Sequence, residues 1–339
     1  MFGTLRLVLA ALVALNHVGF VIEARHPAVS SVVIFYILSG YVMTGLIRNH
    51  YVGSTRILSY YCDRALRIYP QYLFFCVIAV GLLIFFNIRS EFLSDEISIR
   101  NLAFNAAIIP LDFFMVNGID RFTLLPPTWS LGAELQLYLL LPFILAWEVR
   151  PHTLAISVAI FALAAINHID PDSFGYRLLP SILCMFLSGS LIYDSSNAKG
   201  PAVSHCYLGA TYLIVLLCLL WDIRTGVVEI PYTLEVCLGY LLGVPAVLML
   251  SRLGRNRLDD FMGNLSYGVF LSHFIVIWSA QRFHLFEPRT SYHLYLLACA
   301  VLAFIGFYFI ERPLIGLRNS FRFQRAQHVS SASEGAATS

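Results

Sequence analysis

Hydrophobic residues in this chain fall in long blocks, broken by short polar segments, with neither the alternation of strands nor the one-sided stripe of surface helices. The blocks lie near 5–22, 28–47, 70–87, 129–147, 153–169, 178–194, 205–221, 231–250, 264–283 and 292–310. A bilayer core needs about 20 apolar residues per helix, with a range of about 17–25, and every block meets that length. Pro27, Pro70, Pro127, Pro151, Pro231 and Pro313 stand near block ends, and Trp129, Trp147 and Trp221 sit at the edges expected of amphipathic rings. The pattern predicts an all-α polytopic membrane protein, about ten transmembrane helices in a single bundle over 1–329. The small polar residues of 330–339 predict a disordered cytoplasmic tail. The first block lacks a small-x-small cleavage site and contains His17, so it reads as an uncleaved span.

One further segment, 101–118, is long enough to cross but is interrupted by Asn101, Asn105, Pro110 and Asp112. Orientation decides its assignment. With ten spans and both termini cytoplasmic, the inner loops hold Arg48, Arg56, Arg64, Arg67, Arg150, Lys199, Arg252, Arg255, Arg257, Arg312, Arg318, Arg322 and Arg325. The short outer loops hold few, among them Arg25, Arg224, Arg282 and Arg289. An eleventh span would move the Arg252–Arg257 cluster outside, against the positive-inside rule. Residues 88–128 are therefore expected to form a long outer loop with an interfacial or re-entrant piece, and loops of that length are usually functional or disordered.

Composition supports the membrane assignment: of 339 residues 58% are hydrophobic and 12% charged, with mean hydropathy +0.74, whereas soluble domains carry about 25% charged residues. A net charge of +2 and no basic run interleaved with aromatics argue against a nucleic-acid partner. Seven cysteines form no CxxC pair and no metal spacing with histidine, so no metal is expected. GxSxG, HExxH and a glycine-rich phosphate loop are all missing from the sequence.

Few ionisable groups remain inside the apolar blocks, and these are the candidates for chemistry. Glu134 lies one helical turn into an apolar segment, where an ionised carboxylate costs roughly 2.5 kcal/mol or more. His17 and His273 stand within two other blocks; His17 is either an interhelical hydrogen-bonding residue or a general base suited to neutral pH, and His273 is either a packed helix histidine or part of the same site. Arg6 precedes His17 by a helical rise of about 16 Å and is either a positive-inside anchor or part of the same site. Ser39-Gly40 lies mid-span, where small residues usually mark a close helix crossing, although Ser39 could also hydrogen-bond His17 or a substrate. Arg64 and Arg67, three residues apart on one face and expected just outside the bilayer, serve as topology signals and anionic-lipid contacts, or as a phosphate clamp.

Taken together, these segments resemble the acyltransferase family 3 membrane proteins, which O-acylate surface polysaccharides, Nod factors and macrolides. The likeness rests on Arg6 to His17, Phe35 to Tyr41, Arg64 to Pro70, Trp129 to Glu134 with Tyr138 and Pro142, Gly263 to His273, and Glu311-Arg312-Pro313. These come in order along nearly the whole chain. Val33 stands where many members carry an aspartate, and the esterase-like extension fused to some members is expected to be absent.

The resemblance implies acetyl-CoA or another acyl-CoA as a cytoplasmic donor and a sugar hydroxyl of a surface or lipid-linked glycan as acceptor, in a bacterial inner membrane and in contact with its lipid. It also implies roles. Arg64 and Arg67, with Arg6 and more weakly Arg48 and Arg56, would hold CoA phosphates. His17 would act as general base or acyl carrier, Glu134 would orient or recharge a histidine, and Ser39 or His273 would position the thioester. The competing class is a proton-coupled transporter or flippase of a lipid-linked glycan, which would also need intramembrane His and Glu. Against it, no inverted repeat or pair of broken helices is evident.

Overall fold

The computed structural model describes residues 2–196, 202–226, 232–254 and 256–323. The expected tail lies outside these residues, as do Lys199, Arg255 and Arg325. The described chain is helical: α1 (Phe2–His17), α2 (Pro27–His50), α3 (Ile57–Phe86), α4 (Ile99–Ala107), α5 (Phe114–Asn117), α6 (Trp129–Ala146), α7 (Arg150–Ala165), α8 (Pro171–Tyr176), α9 (Leu179–Ser196), α10 (Ala202–Thr225), α11 (Thr233–Ser251), α12 (Arg257–Phe283), α13 (Tyr292–Gly306) and α14 (Arg312–Phe323). Eight stretches among the described residues are long and apolar enough to cross a membrane. The remaining two expected spans, α1 and α7, are apolar but have 16 residues each, about 24 Å of helix against a hydrocarbon core of about 30 Å.

The interrupted segment does not cross straight. Ile99–Ala107 and Ile109–Asn117 form a pair bent by 106°, with Ile108 at φ +64° and Pro110 just beyond it. Its polar residues satisfy the broken backbone, as a non-helical segment at membrane depth requires. Asn105 donates to the carbonyls of Asn101 and Phe122 and accepts from the Leu124 amide, each at 2.9 Å. At Gly132 of α6, an added Cβ would lie 2.9 Å from the Ile108 carbonyl oxygen and 3.1 Å from Asp112 Cβ. The absence of a side chain there lets the bend rest on α6.

Three boundaries differ from the hydrophobic pattern. First, α1 ends at His17, and the apolar residues that follow form turns, with Gly19 at φ +91°; His17 therefore ends a helix instead of sitting within one. Second, α3 begins at Ile57 and carries Pro70 in its interior. A proline frees one carbonyl but does not end a helix held by neighbours, so Arg64 and Arg67 lie within a helix of the bundle and not in a loop before it. Third, the last span continues beyond α13 through a π-helical turn, Phe307–Glu311, into α14.

The helix α2 is central, packing on α1, α6, α9 and α11. Its crossing with α9 is close because Gly40 meets the Phe186 carbonyl and Gly189 meets the Ile37 carbonyl. The helices α1 and α12 run parallel, Asp259 accepting from the amides of Gly3 and Thr4 at 3.1 and 2.9 Å. One face of the bundle collects the ends bearing Arg48, Arg150, Arg318 and Arg322, and is termed the basic face below. The opposite face carries the turns after α1, the α4–α5 bend and α8.

Candidate functional site

A cavity of about 900 Å³ opens among α1, α2, α3, α6, α12 and α14, and its lining includes Arg6, Ser39, Arg64, Arg67 and Glu134. Five of the seven residues singled out from sequence thus share one space. His17 and His273 are outside it.

At the deep end, the Glu134 carboxylate accepts hydrogen bonds from the hydroxyls of Ser39 and of Tyr138, one turn along α6. The crossing glycine and the site serine are neighbours on α2: Gly40 packs on α9 while Ser39 faces Glu134. No histidine contacts this carboxylate among the described residues, so the expected Glu–His pairing is absent from the site. Two hydroxyl donors thus satisfy the acceptor capacity of one carboxylate oxygen of Glu134. Tyr36, also lining the cavity, keeps a buried hydroxyl without a hydrogen-bond partner. Arg6 forms no ion pair among the described residues and lies within electrostatic range of Glu134, Tyr138, Arg64 and Arg67.

Toward the basic face, the arginines are organised by two buried carboxylates. Asp63, 0% exposed, accepts from Arg64 Nη2 at 2.6 Å, from Arg318 Nε at 3.2 Å, and from Arg322 Nε at 3.2 Å. Glu311 pairs with Arg67 and with Arg318 Nη1, the latter at 3.3 Å. The Arg67 guanidinium also lies 5.4 Å from the Tyr267 ring centroid. Asp63, Glu311, Arg318 and Arg322 were not among the residues expected to act. Asp63 stands directly before Arg64, and Arg318 and Arg322 are spaced i,i+4 on an amphipathic helix; those were the available signals. Arg48 and Arg56 do not line the cavity. Arg48 joins Arg150 on Asp194, at 2.6 Å each, tying α2, α7 and α9, and Arg56 donates to the Phe321 carbonyl at 2.6 Å.

The histidines form a second station toward the opposite face. Their rings stack with centroids 5.2 Å apart and an interplanar angle of 23°. His273 is fully buried, and its Nδ1 lies 2.8 Å from the Phe270 carbonyl oxygen. That contact places the proton on Nδ1, leaving Nε2, which has no hydrogen-bond partner, as a bare acceptor. His17 is exposed and touches Phe274 as well. Phe270 lines the cavity and stands 6.3 Å from the His273 ring, centroid to centroid, so one aromatic side chain borders both stations.

An arginine-rich space leading to a half-buried carboxylate and two hydroxyls, beside a histidine pair, suits transfer of a group from an anionic carrier. Comparison with known proteins defines the class. Residues 4–312 match the family model of the Acyltransferase domain, and the chain belongs to that family of multi-pass membrane acyltransferases. It is 36% identical over 197 residues to an uncharacterized protein of Aquifex aeolicus (strain VF5), covering 57% of this chain and 89% of that one. It is 24% identical over 319 residues to the O-acetyltransferase OatA of Staphylococcus aureus (strain NCTC 8325 / PS 47), covering 83% of this chain and 51% of that protein. The chain thus spans about half the length of OatA. No solved structure matches it.

Proposed function

We propose that this protein transfers an acetyl or other short acyl group from acyl-CoA to a sugar hydroxyl of a cell-surface or lipid-linked glycan. The observation that carries the reading is the single cavity joining the arginines of the basic face to Glu134. The name of the Staphylococcus aureus relatives, O-acetyltransferase, supports acetyl as the group transferred. Clustering of arginine on one face favours that face, with both termini, being cytoplasmic in a bacterial inner membrane. Acyl-CoA would then enter from the side where it is made.

In this mechanism Arg6, Arg64 and Arg67 bind the donor phosphates, for which guanidinium forks are suited. The thioester lies beside Ser39, Glu134 and Tyr138. His17 accepts the proton of the attacking hydroxyl, and His273, oriented by the Phe270 carbonyl, supports its ring. The acceptor oxygen forms the new ester bond, the carbon–sulfur bond breaks, and the CoA thiolate takes up a proton, leaving CoA thiol and acylated sugar. Phe270 must yield for the two stations to meet.

The direct test compares surface glycan from cells with and without the protein by mass spectrometry, alongside CoA release by the purified protein in detergent. Glycan carrying added acetyl groups, together with acetyl-CoA-dependent release, is the expected result. A glycan identical in both cells and no CoA release would overturn the reading.

A further inference from the structure

We propose that Arg318 and Arg322 of α14 recognise the ribose 3′-phosphate of CoA, with the buried Asp63 fixing the direction in which their guanidinium groups point. The assignment rests on the acyl-CoA reading above. It adds a specificity-determining subsite on an element that the sequence treated only as a basic end.

Two helices present paired arginines to each other: Arg64 and Arg67 on α3, Arg318 and Arg322 on α14. Among the described residues their ion-pair partners are Asp63 and Glu311, so within this paired cluster four cations meet two anions and an excess of two positive charges remains. Asp259 and Asp260, which also line the cavity, form no ion pair with these four arginines. A phosphate monoester is close to dianionic at neutral pH, which matches that excess. The donors are also left over in the right place. Arg322 gives Nε and Nη2 to Asp63 and keeps Nη1. Arg318 gives Nε to Asp63 and Nη1 to Glu311 and keeps Nη2. Neither remaining nitrogen has a protein partner among the described residues, and both side chains line the cavity.

Depth separates this subsite from the rest of the donor site. Arg6 and Arg318 both lie within electrostatic range of Arg64 and Arg67, but Arg6 is also in range of Glu134 and Tyr138, whereas Arg318 and Arg322 are paired with Asp63, and Arg318 with Glu311 as well. The arginines of α14 thus sit with the carboxylates of the basic face, and Arg6 sits toward the carboxylate of α6. CoA carries its charge in two groups as well, a diphosphate toward the thioester and the 3′-phosphate on the ribose farther away. With the thioester at Glu134, the diphosphate meets Arg6 and Arg67 and the 3′-phosphate meets Arg318 and Arg322.

The test measures calorimetric binding of CoA and of 3′-dephospho-CoA to the full chain in detergent, for wild type, Arg322→Gln and Arg318→Lys. In Arg322→Gln, Asp63 keeps Arg64 and Arg318, so its charge stays paired. Wild type should bind CoA at least about tenfold more tightly than the dephospho form, as one charged hydrogen bond implies. Arg322→Gln should lose most of that preference by weakening CoA alone, and Arg318→Lys, which keeps charge but loses the fork, should lose part of it. Equal wild-type affinity for the two ligands, or parallel weakening of both in Arg322→Gln, would overturn the assignment while leaving the acyl-CoA reading intact. A wild-type protein that binds neither ligand would overturn both.

Discussion

The Ser39 hydroxyl of α2 donates to the Glu134 carboxylate of α6, joining two helices at the deep end of the cavity. Tyr138 donates to the same oxygen, so the carboxylate is held from two sides. Glu134→Gln should therefore lower kcat strongly, while Ser39→Ala and Tyr138→Phe each cost less. A hydrogen bond to a charged group is worth roughly 1.5–3 kcal/mol, about ten- to a hundredfold in rate. The Ser39→Ala/Tyr138→Phe pair should be non-additive, because both act through one oxygen. Steady-state kinetics of the single and double variants check this, and fully additive effects would assign the two hydroxyls independent roles.

Asp63 should matter to stability before it matters to catalysis. It is fully buried and holds three arginines. Removing one partner of a buried ion pair typically costs about 3–5 kcal/mol. Asp63→Asn should lower the thermal midpoint in detergent markedly, and Arg322→Gln should lower it less, since two arginines still pair with Asp63. Equal midpoints for Asp63→Asn and wild type would contradict the network as a structural hub.

Gly132→Ala tests the seat of the re-entrant bend. The added Cβ would meet the Ile108 carbonyl oxygen at 2.9 Å, a backbone atom that cannot rotate away. Overpacking of this kind costs typically 1–3 kcal/mol. Limited proteolysis should show faster cleavage within 99–121 in the variant, and activity should fall with it. Unchanged cleavage would mean that α6 and the bend separate at no cost.

The spans were legible in sequence because an apolar block long enough to cross a bilayer has few alternatives to a helix. The end of α1 was not, because the residues after His17 are as apolar as those before it and only Gly19 hints at the turn. Pro70 misplaced the start of α3, since a proline weakens a helix locally without saying whether neighbours will sustain it. Glu134 and Ser39 were recognisable as costly or special residues at membrane depth, and Arg6, Arg64 and Arg67 as arginines at or just outside the cytoplasmic edge; the cavity gathers all five. Their partners were hidden for a different reason. Asp63 is bound by Arg318, 255 residues away, and no local spacing records that pairing. The separation of the histidines from Glu134 was equally invisible, because it depends on how α1 and α12 lie against α2.

Topology can be read with reporter fusions. Fusions after Gly118 and after Phe323 should report the outer and the cytoplasmic side respectively, with the α4–α5 bend returning to the side it left. An external signal after Phe323 would mean an odd number of crossings and would move the basic face away from the cytoplasm.

His17 offers the most direct test of the division into two stations. It lies outside the cavity that would hold the donor, so its loss should spare donor binding and remove the proton acceptor for the attacking hydroxyl. A general base contributes typically about 10²–10⁴-fold. The measurement is CoA binding and acyl-transfer rate in one preparation of His17→Gln, at wild-type levels in the membrane. CoA affinity near wild type is expected, with transfer reduced by at least about a hundredfold. Transfer near wild type, or a loss of CoA affinity that parallels a loss of transfer, would rule out His17 as a proton acceptor separate from the donor site.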